Sequence, residues 1–215
     1  MIPLKDENPT QNFPLVTVLL IAANVAVFFS FIVPAGLKGE ASLFDSYGLI
    51  PSHLLETPVA VYPTVFSAMF LHSGLGHLAG NMLYLWIFGN NIEDVLGKTR
   101  FILFYLVCGA IASFCHIAAD PRSEVPMVGA SGAISGILGA YLVLFPLARV
   151  RTLVFLGFFI TIVRVPAVVL LGIWFLIQIS SSALMADLSG GVAWYAHIGG
   201  FAAGILLILP FRDKT

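Results

Sequence analysis

Hydrophobic residues fall in long runs along the chain, and the polar positions are clustered between those runs. A helix that crosses a lipid bilayer needs about 20 mostly apolar residues. Six segments meet or approach that length, so the pattern predicts six membrane spans in one domain, residues 1–215. The predicted spans are 15–33, 77–90, 100–118, 130–146, 165–186 and 193–210. The connection 34–76 contains an apolar stretch, Val59 to Leu71, that is too short and proline-broken to span, and we expect it on or in the membrane interface.

Composition supports a membrane protein. Hydrophobic residues make up 59% of the chain and charged residues only 10%, whereas soluble domains carry roughly 25% charged residues. The net charge of −1 offers no basic field that would attract nucleic-acid phosphates. The composition therefore argues against a water-soluble enzyme, a disordered chain and a nucleic-acid-binding protein, and it predicts an all-α polytopic membrane protein.

The distribution of basic residues predicts the orientation. If both termini lie on one side, that side holds eight of the ten lysines and arginines, and the other side holds only Lys38 and Arg122. Cytoplasmic loops are the ones enriched in basic residues, so we expect cytoplasmic termini, with Arg164 as an interfacial anchor at the start of the fifth span. The chain is short and shows neither a signal peptide nor a transit peptide, so we expect it in a bacterial cell membrane.

Two of the spans that run inward are predicted to be short. The second and fourth would be about 21 Å and 24 Å long as helices, against a hydrocarbon core of roughly 30 Å. We therefore expect short inward helices, the second, fourth and sixth, around a cavity that opens on the outer side. Short spans in membrane proteins often mark the working site.

Four polar residues survive near the outer ends of these three helices. His77 and Asn81 lie four apart in the second span and share a helix face. Ser131 opens the fourth span in a run of glycine, alanine and serine, and His197 lies near the start of the sixth. Since all three helices run in the same direction, the topology predicts that these side chains meet in one layer.

This layer contains the groups needed for nucleophilic catalysis. A serine hydroxyl becomes a nucleophile when a neutral imidazole takes its proton, which Ser131 and His197 could do. An oxyanion needs hydrogen-bond donors, and Asn81, His77 and the free N–H groups at the start of the fourth helix could supply them. Near this layer the three inward spans carry no aspartate or glutamate, so the set predicts a Ser–His dyad.

At these residues the chain resembles the rhomboid family of intramembrane serine proteases. Three motifs carry the resemblance: His77-Leu78-Ala79-Gly80-Asn81-Met82, Gly129-Ala130-Ser131-Gly132 and Ala196-His197-Ile198-Gly199-Gly200. Weaker matches lie between them, and the resemblance covers most of residues 60–210. One short serine motif is weak evidence, but three motifs in order on alternate spans are specific.

The resemblance implies a six-helix bundle that cleaves transmembrane protein substrates, single-span or polytopic, entering laterally near the outer face. It assigns the nucleophile to Ser131, the base to His197 and oxyanion binding to His77 and Asn81, through an acyl-enzyme. Gly200 and Gly204 would let the sixth helix approach the fourth, with Gly129 and Gly132 as further small residues near the site. It implies neither a metal nor another cofactor.

The chain departs from the family pattern at two places. Many relatives carry an aromatic residue four positions after the nucleophile, where it stacks on the histidine, and this chain has Ser135 there. Some bacterial relatives carry a Trp-Arg pair in the first outer loop, and residues 34–76 contain no tryptophan. Neither departure removes a catalytic group.

Structural roles remain alternatives for each residue. Ser131 could bond back to a carbonyl, His77 could cap the outer loop, Asn81 could bond across helices, and Ser135 is best explained by packing. His72, His77 and His116 could hold zinc, although the chain has no H-E-x-x-H pair. We interpret Gln178 as a helix–helix contact and Trp86, Trp174 and Trp194 as span-end or lipid-facing aromatics.

Two other functional classes stay open. A non-catalytic membrane-binding protein of this fold would lack the nucleophile or the base, and both are present here. A transporter or channel would be expected to show internal repeats or charged residues along a pathway. We find no clear repeat, and the polar residues stop in the outer third of the predicted bundle.

Overall fold

The computed structural model of the protein describes residues 1–56, 62–157, 159–184 and 193–214. Within these ranges four helical segments are long and apolar enough to cross a membrane. They are Leu15–Gly36, Lys98–Ala119, Ala167–Leu184 and Trp194–Arg212. These segments correspond to the first, third, fifth and sixth predicted spans and agree with an integral membrane protein. Residues 185–186, at the end of the fifth predicted span, lie outside the described residues.

The described residues form helices and one small sheet. The helices are α1 Leu15–Val27, α2 Val33–Tyr47, α3 Pro51–Glu56, α4 Thr64–Ser67, α5 Leu75–Leu96, α6 Lys98–Ala119, α7 Ser131–Leu144, α8 Ala167–Leu184 and α9 Trp194–Ile208. The strands are β1 Ile2–Asp6, β2 Arg149–Leu156 and β3 Phe159–Pro166. A π-helical turn, Phe28–Ile32, joins α1 to α2, and 3-10 turns occupy Ala68–Phe70 and Leu209–Lys214.

The prediction of a short second helix is wrong. Helix α5 has 22 residues and is about 33 Å long; it continues past the predicted end at residue 90. Its polar last turns are stabilised by the N-terminal segment: the buried Glu93 carboxylate accepts hydrogen bonds from the backbone N–H groups of Val16 and Thr17 at 2.9 Å and 2.7 Å. Asn91 likewise donates to the carbonyl of Asn8 at 3.0 Å. These polar residues ended the apolar run in the sequence without ending the helix.

Helix α7 is the short one. It has 14 residues and is about 21 Å long, less than the roughly 30 Å of a hydrocarbon core. The sixth helix is not short, because the 3-10 turn after α9 extends the apolar segment Trp194–Arg212 to 19 residues. Of the three helices predicted to be short, only α7 is.

The connection before α5 folds onto the protein. Helix α2 is kinked at Gly36, whose φ of +63° lies in the left-handed region. Further on, Val65 and Ala68 are buried in a cluster with Ile117 of α6. The described part of the apolar stretch 59–71 therefore packs against a neighbouring helix, and its place at the membrane interface stays a prediction; residues 59–61 lie outside the described residues.

The three-stranded sheet corrects the all-α prediction. Its order is β1-β2-β3 with both pairings antiparallel. Residues 149–166 are rich in β-branched and aromatic side chains, which favour strands. Arg164 lies in β3, shortly before α8 begins, and forms an ion pair of 2.8 Å with Glu7; its role as an interfacial anchor of the fifth span stays a prediction.

The sheet lies at the end of the helices opposite to Ser131. The hydroxyl of Tyr141, in the last turn of α7, donates to the Asp6 carboxylate at 2.8 Å. Burial raises the pKa of this carboxyl group, and the hydrogen bond from Tyr141 opposes the shift. Strand β1 is thereby attached to the C-terminal end of α7.

Helices α7 and α9 are in direct backbone contact at the centre of the molecule. A Cβ atom added to Gly200 would overlap the carbonyl oxygen of Gly132, and one added to Gly204 would overlap that of Gly136. A Cβ atom on Gly132 would lie 2.7 Å from the Cβ of Ala112 on α6. Small-residue seams of this kind let helices approach in membranes, and the seam holds α7 between α6 and α9.

We predict that Gly204→Ala destabilises the protein by about 1–3 kcal/mol or more, because the added methyl group must push α7 and α9 apart. Gly172→Ala is the matched control, since a Cβ at Gly172 meets nothing within 4 Å. Alanine there should leave stability unchanged or raise it by up to about 1 kcal/mol. Thermal unfolding midpoints in detergent measure both changes, and equal midpoints for the two variants would contradict the tight seam.

Candidate functional site

Ser131 and His197 are in hydrogen-bond contact. The Ser131 Oγ and His197 Nε2 atoms lie 2.8 Å apart. Ser131 is the first residue of α7 and His197 is the fourth of α9. The glycine seam between these helices brings the two side chains into reach, and the distance suits proton transfer from the hydroxyl to the imidazole.

Helix α8 holds the other side of His197. The Gln178 Oε1 and His197 Nδ1 atoms lie 2.8 Å apart. The indole rings of Trp174 and Trp194 contact the imidazole, with ring centroids 6.0 Å and 6.2 Å from it. Among the described residues, no carboxylate hydrogen-bonds to His197.

The bond between Gln178 of α8 and His197 of α9 confirms the expected helix–helix contact. Trp194 is the first residue of α9, as expected for a span-end aromatic. What the sequence did not predict is that the rings of Trp174 and Trp194 both contact His197. The sequence spacing does show that Trp174 and Gln178, four residues apart, lie on the same face of α8.

Ser135 bonds within its own helix, although it lines the same cavity as His197. Its Oγ atom donates to the carbonyl of Ser131 at 2.7 Å, and the side chain is 1% exposed. This bond back to the preceding turn is common for serine in helices. The hydroxyl is thus engaged within α7, which accords with a packing role.

His77 and Asn81 lie on the face of α5 beside Ser131. His77 Nδ1 lies 3.1 Å from the hydroxyl of Ser73, a contact that the sequence did not reveal. Gly129 is required next to it: φ is +122°, and a Cβ atom there would lie 2.8 Å from His77 Nε2. The Nδ2 group of Asn81 is buried and has no hydrogen-bond partner within the described ranges.

A cavity of about 740 Å³ joins these residues. Ser131, His197, His77 and Asn81 all line it, as does Trp174. The four predicted site residues therefore share one chamber at the N-terminal ends of α5, α7 and α9. An unpaired donor facing a chamber beside a serine–histidine pair can stabilise a developing oxyanion.

His72 is a buried histidine next to the site. It is 0% exposed, its ring forms an edge contact with His77 at a centroid distance of 5.0 Å, and neither ring nitrogen has a partner in the described part of the chain. Across that same part of the chain, no three histidine, cysteine, aspartate or glutamate side chains are grouped as metal ligands.

Comparison with known proteins identifies relatives of the chain. The family model described as the Rhomboid domain matches residues 60–214. The chain is 30% identical over 194 residues to "Rhomboid protein 1, mitochondrial" of Saccharomyces cerevisiae, covering 87% of this chain and 50% of that protein. It is 33% identical over 197 residues to "Rhomboid protease GluP" of Bacillus subtilis, covering 92% of this chain and 36% of that protein. The chain thus spans half or less of the length of these relatives.

We predict that the stability conferred by His72 depends on pH. Burial is the main reason why the pKa of His72 is lowered from 6.5 to about 4, with the nearby His77 adding to the effect. Between these values the unfolded chain binds a proton that the folded protein excludes, so the free energy of unfolding falls as the pH falls through this window. His72→Phe should reduce this dependence.

Thermal unfolding midpoints of the wild type and His72→Phe, compared at about pH 7.5 and about pH 5, test the prediction. The wild type should lose more stability than the variant on acidification. Equal losses would show that His72 is not the group that takes up the proton.

Proposed function

Because the chain belongs to the rhomboid family, we propose that it is an intramembrane serine endopeptidase with a Ser131–His197 dyad. The observation that carries this proposal is the 2.8 Å contact between Ser131 Oγ and His197 Nε2 inside the cavity. A serine and a histidine in this relation form the core of a nucleophile and general-base pair. The surrounding donors supply what acyl transfer further requires.

The reaction begins when His197 Nε2 takes the proton of the Ser131 hydroxyl and Oγ attacks the scissile carbonyl carbon. The tetrahedral intermediate carries its negative charge on the former carbonyl oxygen. Asn81 Nδ2, the His77 ring and the backbone N–H of Ser131 stabilise that charge. Helix α7 has no side-chain cap on its first turn, so its free N–H groups and dipole favour an anion there.

The intermediate collapses when protonated His197 gives its proton to the departing amine. This step breaks the peptide bond and leaves the N-terminal part of the substrate as an ester on Ser131. Water then enters the cavity, loses a proton to His197 and attacks the ester carbonyl. The second collapse returns the proton to Ser131 and releases the carboxylate product, so both dyad residues are regenerated.

The substrates we propose are membrane proteins, single-span or polytopic, that enter laterally between α5 and α8. Trp174 of α8 and His77 of α5 both line the cavity, which supports this route. A segment that unwinds locally exposes its carbonyl groups to Ser131, whereas an intact helix keeps them hydrogen-bonded. Most of the loop 187–194, which we place above this route, lies outside the described residues.

We propose that the site faces the outer side of a bacterial cell membrane, with the termini in the cytoplasm. The excess of basic residues on the predicted side of the termini supports this orientation. The sheet that contains β1 lies at the opposite end of the helices from Ser131. The short α7 leaves room above its N-terminus for water to reach the dyad.

We predict that a fluorophosphonate probe labels the wild type, in mild detergent, at Ser131. Ser131→Ala should abolish labelling because the nucleophile is removed, and His197→Ala should reduce it by at least about 100-fold because the general base is lost. Ser135→Ala is the matched control, since its hydroxyl bonds within α7, and it should keep the wild-type labelling rate. Fluorescence of the labelled protein after electrophoresis gives the rates.

Two results would contradict the proposal, once all variants are shown to be folded. Labelling that survives Ser131→Ala would place the nucleophile elsewhere, with Ser135 the first residue to test. Cleavage of a membrane-embedded test substrate at equal rates by the wild type and Ser131→Ala would remove the serine mechanism altogether.

We also predict that Asn81→Ala slows single-turnover cleavage by about 100- to 1000-fold, the usual cost of losing an oxyanion donor. Its thermal midpoint should stay near that of the wild type, because the Asn81 Nδ2 group has no partner to lose. Asn24→Ala is the control: Asn24 is buried in α1 and donates to the carbonyl of Leu20 at 2.8 Å, so its loss should lower the midpoint and leave the rate of the folded protein unchanged. The opposite pattern would show that Asn81 is structural.

A further inference from the structure

The imidazole of His197 must present an unprotonated nitrogen to Ser131. A neutral imidazole carries its proton on either Nδ1 or Nε2, and only the Nδ1–H form leaves Nε2 free to accept the serine proton. In serine proteases with a triad, a buried carboxylate selects this form. The described part of this chain offers His197 no such carboxylate, so another group must select it.

We propose that Gln178 is a positioning residue that fixes His197 in the Nδ1–H form. The inference rests on the proposed function, because it concerns the same dyad. It gives a role to a buried amide on α8 that the proposed reaction does not otherwise use. The argument depends on the two hydrogen bonds of this amide.

The first bond orients the amide. The Nε2 group of Gln178 donates to the backbone carbonyl of Trp174, one turn earlier in α8, at 3.1 Å. A carbonyl oxygen only accepts, so the atom facing it must be the amide nitrogen. This bond decides which end of the amide is oxygen, an assignment that shape alone leaves open.

The second bond then assigns the proton of the imidazole. With Nε2 of Gln178 turned to its own helix, Oε1 is the atom that lies 2.8 Å from His197 Nδ1. Oε1 has no hydrogen to donate, so Nδ1 must carry the proton. In the other form two lone pairs would face each other at this distance. The lone pair of His197 therefore lies on Nε2, directed at the Ser131 hydroxyl, 2.8 Å away.

The position of Gln178 separates it from the catalytic groups. Its side chain is 5% exposed, and it is not among the residues that line the cavity. It lies behind the imidazole, on the side away from Ser131, and therefore acts through His197. Trp174 complements it, because its carbonyl orients the amide while its ring contacts the imidazole.

The first test reads the tautomer directly. Nitrogen-15 NMR of detergent-solubilised protein labelled in histidine, with His197 assigned from the His197→Ala spectrum, should show His197 protonated at Nδ1 at neutral pH. In Gln178→Met, which keeps the length of the side chain without an acceptor, the Nε2–H form should become populated. A wild-type His197 protonated at Nε2, or an unchanged spectrum in Gln178→Met, would overturn the proposal.

The second test measures turnover. Gln178→Met should lower kcat for a membrane-embedded test substrate by about 10- to 100-fold, less than the roughly 10,000-fold loss known for an enforced wrong tautomer. KM should stay within about twofold, because Gln178 does not touch the cavity. Ser182→Ala is the matched control: Ser182 lies one turn further along α8 and donates to the carbonyl of Ile179 at 2.8 Å, so its kcat should equal that of the wild type.

The pH profile of the conservative variant Gln178→Glu is a further test, because a residue that only packs against its neighbours would not change it. Gln178→Glu restores an acceptor and should recover activity relative to Gln178→Met. Its carboxylate stabilises the protonated imidazole, so activity should be lost at a higher pH on acidification than in the wild type. If Gln178→Glu keeps the wild-type pH profile and Gln178→Met keeps the wild-type kcat, Gln178 is only a contact between helices.

Failure of this inference differs from failure of the proposed function. If Ser131→Ala keeps cleaving, the serine mechanism fails, and the NMR result still decides whether Gln178 fixes the tautomer. If Ser131→Ala is inactive while Gln178→Met keeps both kcat and the Nδ1–H form, only the role of Gln178 is refuted.

Discussion

The close backbone contact of α7 and α9 at their glycines is the constraint on which the site depends. Gly200 and Gly204 bring the α9 backbone against the carbonyl oxygens of Gly132 and Gly136. At that separation a serine at the start of one helix and a histidine in the first turn of the other reach 2.8 Å without long side chains. Since hydrophobic burial adds little between helices in lipid, close packing of this kind supplies much of the association.

Polar groups in the apolar bundle fall into two kinds. Most serve the fold: Glu93 holds the start of α1, and Ser135 and Ser182 bond within their own helices. The polar groups at the dyad are arranged differently: Asn81 leaves a donor unpaired, and Gln178 bonds to Trp174 with one end of its amide and to His197 with the other. An unpaired buried donor costs free energy, and a cost of this kind is expected where a ligand provides the missing partner.

The sequence predicted the membrane character and the helices that carry the four candidate residues, because long apolar runs and isolated polar residues are local signals. Helical spacing and direction suffice to place His77, Asn81, Ser131 and His197 in one layer. We did not predict the sheet, although the β-branched and aromatic residues of β2 and β3 are a local signal for strands. The addition of β1 has no local signal, because its pairing with β2 links residues far apart in the chain. The sequence also did not predict the C-terminal part of α5, because its polar residues are stabilised by partners in the distant N-terminal segment. The spacing of Trp174 and Gln178 places both on one face of α8, but their contact with His197 depends on how α8 packs against α9, which no local pattern contains.

The pairing of β1 with β2 bears on the order in which the protein is assembled during synthesis. Ile2 lies opposite Leu153 and Asp6 lies opposite Val150. Strand β1 can therefore pair with β2 only after α1 to α7 have been synthesised. Contacts so distant along the chain form late. Until then α1 lacks the β1–β2 pairing beside it. The Glu93 carboxylate, which bonds to the start of α1, is likewise absent until the end of α5 has been synthesised. The N-terminal segment can therefore complete its contacts only after α1 to α7 and β2 have been synthesised.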